Sequence, residues 1–251
     1  MRNKINKKED MLKLIKQGFS LNQISKKLAL PKTTVYYHFR KIKGKTIKKA
    51  KITNNQEQIG ELIGAFAGDG TFHKDKGGTY RITFSTYYKE EKYAARLKKI
   101  LKDAYNCSVF EYKYKPVIMT RIQQKLVIEH FLQFLKWTSH KKSKTVSLKL
   151  SIPQYSKAFL KGFIRGLIDT DGTVDTYGRI CCTTISKELM RNLFKAYCQF
   201  GFNPKRWIRT KNVKNFKYSV VISRREANKY LKIIQFGNKY KEEKLKQLMP
   251  L

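Results

Sequence analysis

Leu62-Ile63-Gly64-Ala65-Phe66-Ala67-Gly68-Asp69-Gly70 and Ile164-Arg165-Gly166-Leu167-Ile168-Asp169-Thr170-Asp171-Gly172 decide how this chain folds. Each is an apolar helical run that ends in Asp-Gly. Gly64 and Gly68 are four residues apart, hence on one face of their helix, and Gly166 and Thr170 repeat the spacing. Glycine inside a helix costs about 1 kcal/mol relative to alanine, so a stripe of small residues calls for a return. Close approach of two helix backbones supplies one. The spacing predicts two helices packed through Gly64, Gly68, Gly166 and Thr170, their C-termini converging on a pseudo-twofold axis. Gly70 and Gly172 are then expected as left-handed caps.

Such packing brings Asp69 and Asp171 together. A helix C-terminus is already negative, so a carboxylate there is badly placed, and two close together repel or hold a proton. Cations between them remove the conflict. Hard carboxylate oxygens with the free carbonyls of Gly68 and Thr170 suit Mg²⁺, and two or three divalent ions beside a phosphodiester can activate water and stabilise the leaving oxygen. The plainer reading is that each Asp caps its own turn. Two at matching positions, in a chain with only 18 acidic residues, favour the metals.

The flanking residues extend the match into an internal repeat. One copy begins IGELIGAFAGDGTF at Ile59, the other FLKGFIRGLIDTDGTV at Phe159. Downstream, TFSTYYKEEKYAARLKKILKDAY parallels CCTTISKELMRNLFKAYCQF. Each copy reads as a helix, two strands, a helix, two strands and a closing helix. Tyr80, Ile82 and Phe84 alternate with Arg81, Thr83 and Ser85, the period of a half-buried strand. Ile180 and Cys182 alternate likewise with Arg179, Cys181 and Thr183. Later strands set Lys113, Lys115, Arg121, Gln123, Arg209, Lys211, Lys217 and Ser219 on the polar side. A single polar strand face is usually just wet; six of them with so few acids point to a surface that reaches base edges in DNA.

Charge agrees with this. Lys and Arg number 55 against 18 acids, a net charge of +37 and a pI of about 10.1. A polyanionic partner follows, and nucleic acid fits better than an anionic membrane, because the cations are spread along the chain rather than gathered on one amphipathic helix. No run approaches the roughly 18 apolar residues of a membrane span, and MRNKINKKED lacks the core of a secretory leader. The four cysteines form no CxxC pair and no zinc spacing. An intracellular protein is expected, in cytoplasm, nucleoid or an organelle.

The first 50 residues carry 15 Lys and Arg and two acids. A helix ending near Gly18, an N-cap at Ser20, a turn at Leu28-Ala29-Leu30-Pro31 and a third helix to about Phe39 are expected. GFSLNQISKKLALPKTTVYYHFRKI resembles a helix-turn-helix module, which implies Lys32, Thr33, Thr34, Tyr36, Tyr37 and Arg40 at the major groove and its phosphates. A generic small bundle with a solvated basic face is the competing reading. The expected organisation is residues 1–50 as this module and a basic linker, 51–150 as the first repeat and 151–251 as the second.

From the two Asp-Gly helices onward, roughly residues 57–251, the chain resembles a LAGLIDADG homing endonuclease of the single-chain, two-motif kind. The second motif is close to the family pattern. In the first, Ala67 and Gly68 replace the usual acid and alanine. The resemblance implies an α+β fold of two pseudo-symmetric αββαββα halves with saddle-shaped antiparallel sheets along the major groove, plus the small all-α module. It implies that Asp69 and Asp171 are the essential metal ligands, with Asp169 structural. A basic residue near the end of the last strand of each half is also implied, and the nearest candidates are Lys125 and Arg224. The function so implied is site-specific cleavage of both strands of a long, pseudo-palindromic or asymmetric duplex by a Mg²⁺-dependent monomer encoded in an intron. A non-cleaving DNA-binding regulator, or an RNA maturase assisting intron splicing, is the alternative.

Overall fold

The computed structural model describes residues 2–44, 50–75, 78–138, 141–210 and 216–249. Lys211 lies outside the described residues. The chain divides into two units, Met1–Lys48 and Lys49–Leu251.

The first unit is three helices, α1 (Arg2–Lys16), α2 (Leu21–Leu28) and α3 (Lys32–Lys43). Ser20 caps α2 in a reciprocal box: its hydroxyl accepts from the Gln23 N–H, and the Gln23 side chain accepts from the Ser20 N–H. Ala29 ends the helix in the left-handed region (φ 48°), and Pro31 stands just before α3, where a missing N–H costs nothing. Met11, Ile15, Ile24 and Val35 form a small core of their own.

In the second unit, α4 (Gln56–Asp69) leads into β1 (Gly70–Lys74) and β2 (Tyr80–Tyr87), then α5 (Glu91–Tyr105), β3 (Val109–Tyr114), β4 (Val117–Ile122) and α6 (Lys125–Phe134). A connecting stretch follows, with the short β5 (Leu135–Lys136), α7 (Lys142–Thr145) and β6 (Ser147–Leu148). The order then repeats as α8 (Lys157–Asp171), β7 (Gly172–Val174), β8 (Ile180–Thr184), α9 (Lys187–Gln199), β9 (Lys205–Arg209), β10 (Lys217–Ile222) and α10 (Ala227–Ile233), closed by α11 (Lys239–Gln247). Both halves are thus αββαββα. Their antiparallel sheets share one topology, β1-β2-β4-β3 and β7-β8-β10-β9. No helix among the described residues is long and apolar enough to cross a membrane.

The two halves meet through α4 and α8. A Cβ on Gly60 would stand 2.0 Å from the Phe159 carbonyl oxygen, and one on Gly64 2.1 Å from that of Phe163. Gly162 and Gly166 face the Glu57 and Glu61 carbonyl oxygens at 2.0 Å in the same way. The seam is therefore Gly60 and Gly64 against Gly162 and Gly166. Gly68 and Thr170 continue it one turn further: a Cβ on Gly68 would meet Thr170 Oγ1 at 2.3 Å. Backbone thus approaches backbone with nothing between, and Phe66, Phe159 and Phe163 fill the flanks as part of one core shared by both halves.

One expectation needs correcting. Gly70 (φ −73°, ψ 143°) and Gly172 (φ −81°, ψ 157°) are extended, not left-handed. Each helix passes straight into a strand. Glycine is required there by crowding: a Cβ would lie 2.5 Å from Phe66 Cα at the first position and 2.4 Å from the Ile168 carbonyl oxygen at the second.

Candidate active site

Asn55 and Ser156 start α4 and α8, each side chain accepting an N–H one turn on, from Gln58 and Phe159 at 3.1 Å. The glycine seam keeps the axes close along their length, so the last residues, Asp69 and Asp171, come within hydrogen-bonding reach of each other. Burial raises the Asp69 carboxyl above its ordinary range. Asp171 is raised by burial first and by the Asp69 charge second. The pair holds a proton to higher pH than free carboxyls do.

Two lysines complete the cluster. Lys142 Nζ, at the start of α7, donates to the carbonyl oxygens of Ala67 (3.2 Å), Gly68 (3.0 Å) and Gly70 (2.7 Å). Lys241 Nζ, in α11, donates to Ile168 (2.9 Å), Asp169 (2.7 Å) and Thr170 (3.0 Å). Each caps one helix end. Burial pulls Lys142 down to about 8 against the charges of Asp171 and Asp69, and burial lowers Lys241 as well. Three carbonyl acceptors still favour ammonium, because a neutral amine would turn a lone pair toward one of them. The motif acids alone do not reveal these lysines. Their signal is the repeat, since Lys142 follows Gly68 by 74 residues and Lys241 follows Thr170 by 71.

Asp169, one residue before Thr170, is buried. Its Oδ2 accepts the Gly237 N–H at 2.7 Å, while Oδ1 has no partner. Burial, then the negative Glu61, push its carboxyl up to about 7.

The donor set fits a hard divalent cation. Among the described residues no group of three or more His, Cys, Asp and Glu converges. Two carboxylates and helix-end carbonyls leave most coordination positions to water and phosphate, as Mg²⁺ prefers. The Gly68 and Thr170 carbonyls each keep a second lone pair beyond the lysine bond. Beside Asp69 a cleft of about 1040 Å³ opens, lined by Phe72, His73, Lys74, Trp137 and Lys142.

Lys125 and Arg224 each lie just past the last strand of their half. Lys125 begins α6 and pairs with Glu129 at 3.3 Å, with most of its side chain exposed. Arg224 is exposed, its stem near Gly178.

Strand partners share a face of a sheet, so the registers sort the remaining residues. Thr83, Arg121 and Phe110 are aligned, as are Arg81 with His73 and Ser85 with Met119 and Tyr112. These point away from the helices. Thr83 is covered there by Arg121, whose Nε lies 3.4 Å from its hydroxyl. Gln123 and Lys115 are exposed at strand ends. Lys113 does not share that face: it aligns with Ile118 and Thr86 and pairs with Glu91 of α5. The strand keeps its period of two, but its phase puts Phe110, Tyr112 and Tyr114 on the open face and Lys113 on the other. In the second sheet Thr183, Ser219 and Trp207 align, with Thr183 and Ser219 hydroxyls 2.7 Å apart, and Lys217 aligns with Arg209. Arg179 is exposed and paired with Asp175. The open faces also carry aromatics that charge counting missed: Phe110, Tyr114 and Trp207 are exposed, and Arg121 lies over the Tyr112 ring at 4.8 Å. In α3, Lys32, Thr33, Thr34, Tyr36, Tyr37 and Arg40 are all exposed around the buried Val35.

No curated protein sequence shows significant similarity to the chain. Residues 158–235 match the LAGLIDADG-like domain family. Among solved structures, the homing endonuclease I-DmoI in complex with DNA and Mn superposes with a TM-score of 0.55 at 19% identity, covering 72% of this chain and 98% of that one. The complex of I-DmoI with DNA and Ca gives 0.54 at 19% identity, with 72% and 91% covered. The homing endonuclease I-WcaI bound to its DNA recognition sequence gives 0.51 at 14%, with 84% and 93% covered. With α4 and α8 in their places and both sheets built alike, this chain contains a LAGLIDADG-like domain and has the fold of the LAGLIDADG homing endonucleases.

Proposed function

We propose that the chain is a site-specific double-strand DNA endonuclease that hydrolyses one phosphodiester in each strand with divalent metal ions. The observation that carries this reading is the meeting of Asp69 and Asp171 at two helix ends, where only cations or protons relieve their repulsion. Mg²⁺ bound by these carboxylates and by the Gly68 and Thr170 carbonyls would supply an activated water and charge stabilisation at the leaving oxygen. The chain's own residues do the rest. The glycine seam fixes the carboxylates, and Lys142 and Lys241 hold the helix ends. The open faces, with Arg81, Thr83, Ser85, Arg121, Gln123, Arg179, Thr183, Arg209, Lys217 and Ser219, read a long duplex. Lys115, Lys125 and Arg224 add exposed charge at strand ends for phosphates. The α3 residues extend the footprint, and the net charge of +37 draws the duplex in. A monomer suffices, since both halves lie in one chain, and an intracellular compartment holding DNA is its place.

Cleavage of a randomised duplex library in Mg²⁺, compared with Ca²⁺, tests this directly. Discrete cut sites on both strands with Mg²⁺, lost in Asp171→Asn while binding persists, are expected. Specific binding without any cut in either metal would replace the nuclease by a regulator, and cleavage unchanged in Asp171→Asn would remove the metal role.

A further inference from the structure

Lys142 and Lys241 do more than end two helices. Each ammonium has three protons, and all three are spent on carbonyls: Ala67, Gly68 and Gly70 for one, Ile168, Asp169 and Thr170 for the other. Neither has a proton left to donate to a substrate. What remains to each is a fixed positive charge beside the two acids. Lys241 is nearly buried and Lys142 is half-buried under the Phe66 ring at 4.9 Å, so water screens these charges weakly.

Asp69 and Asp171 contribute two negative charges and the lysines two positive ones. Other acids also reach the cluster. Glu90 takes a hydrogen bond from Asn238 at 2.7 Å, and Asp169 is held by Gly237. The lysines also occupy one lone pair on each of the Gly68 and Thr170 carbonyls. A divalent ion approaching the free protein therefore meets partly neutralised carboxylates and partly used carbonyls.

We propose that Lys142 and Lys241 are built-in counter-cations that keep the free protein from loading divalent ions, so that loading waits for the phosphates of bound DNA. This rests on the metal-dependent reading above and deepens it. The two lysines are positioning residues whose charge sets when the site fills. Scissile phosphates would bring the missing negative charge, so that an empty site in solution becomes a competent one on the duplex.

The test is Mn²⁺ binding to the full chain without DNA, followed by electron paramagnetic resonance, with thermal melting to verify folding. Lys142→Met and Lys241→Met, singly and together, should bind Mn²⁺ at least about tenfold more tightly than wild type. A purely structural role has the opposite sign, since loosened helix ends would weaken the site. Equal or weaker Mn²⁺ binding in the folded variants overturns the proposal. So does tight Mn²⁺ binding by the wild-type chain that Asp69→Asn abolishes, a measurement that needs no lysine variant to fold. Adding Asp69→Asn and Asp171→Asn to the lysine variants separates the two readings. If the tightened site survives, the ions lie elsewhere and the aspartate centre itself fails. If wild type and lysine variants bind equally at a site those substitutions remove, only the lysine role fails.

Discussion

Asp171 of α8 leans across Gly68 of α4, so that a Cβ on Gly68 would stand 3.2 Å from the Asp171 carboxyl carbon. The first motif's loosest position is thus a structural requirement of the second motif's acid. Thr170 pins the other side: its hydroxyl donates to the Gly166 carbonyl at 2.9 Å and would stand 2.3 Å from the same Cβ.

Gly68→Ala is therefore expected to displace Asp171 and to cut metal-dependent cleavage by at least about a hundredfold. The Thr170 hydroxyl is forced off the Gly166 carbonyl, a cost of about 1 kcal/mol that alanine's better helix propensity roughly offsets. Gly64→Ala, whose Cβ meets the Phe163 backbone, should instead cost about 1–3 kcal/mol or more, although alanine is the better helix former by about 1 kcal/mol. Denaturant midpoints and cleavage rates measured together decide the matter. A stabilised Gly64→Ala would mean that the seam is looser than its geometry.

The acid pair gives a pH dependence. Asp69 and Asp171 are raised in the folded protein, by burial and, for Asp171, by the neighbouring charge. The folded state thus binds the shared proton more readily than the unfolded state, and stability is lost as pH rises through the raised range. In the absence of divalent ions, Asp171→Asn removes that penalty. Its melting temperature should exceed that of wild type at pH 8. The gap should narrow on acidification and close near pH 4, where free carboxyls also protonate. A gap of constant size from pH 8 to pH 4 would contradict the assignment.

Much of this was legible in the chain itself. The repeat, the helix pair and the two terminal acids follow from apolar periodicity and from glycines that no isolated helix tolerates without cost. The seam's outer members, Gly60 and Gly162, needed only the same four-residue step taken once more. Lys142 and Lys241 were hidden for a different reason: a lysine that caps a distant helix end carries no local signature, and the 55 basic residues drown it. Lys113 shows the limit of reading a strand by its period. A slip of one residue exchanges the two faces, and only the pairing with Ile118 and Glu91 fixes which is which.

Glu61 ties the halves together midway along the helix pair. Arg96 reaches it with Nε at 2.6 Å and a terminal nitrogen at 2.7 Å, and Arg165 of α8 reaches it at 3.1 Å. Arg165 also pairs with Glu57 at 2.6 Å and donates to the Ile234 carbonyl. Glu61→Gln keeps the shape and removes the charge, leaving a buried guanidinium half compensated. A loss of about 3 kcal/mol is expected in urea unfolding, and a change below about 1 kcal/mol would show that Glu57 alone satisfies Arg165.

The N-terminal unit offers the last test, of affinity rather than chemistry. Lys32 and Arg40 are exposed on α3 about two turns apart, with the buried Val35 between them, where phosphate contacts from a recognition helix would fall. Replacing both with Ala should weaken duplex binding and flatten its dependence on salt, by about one counterion for each contact removed. The cleavage rate at saturating protein should be unchanged, because Asp69 and Asp171 belong to the other unit. Filter binding across a salt series supplies the slope, and single-turnover cleavage supplies the rate. An unaltered slope would make this face of α3 an ordinary solvated surface, whereas a lost rate would show that the first unit takes part in the chemistry.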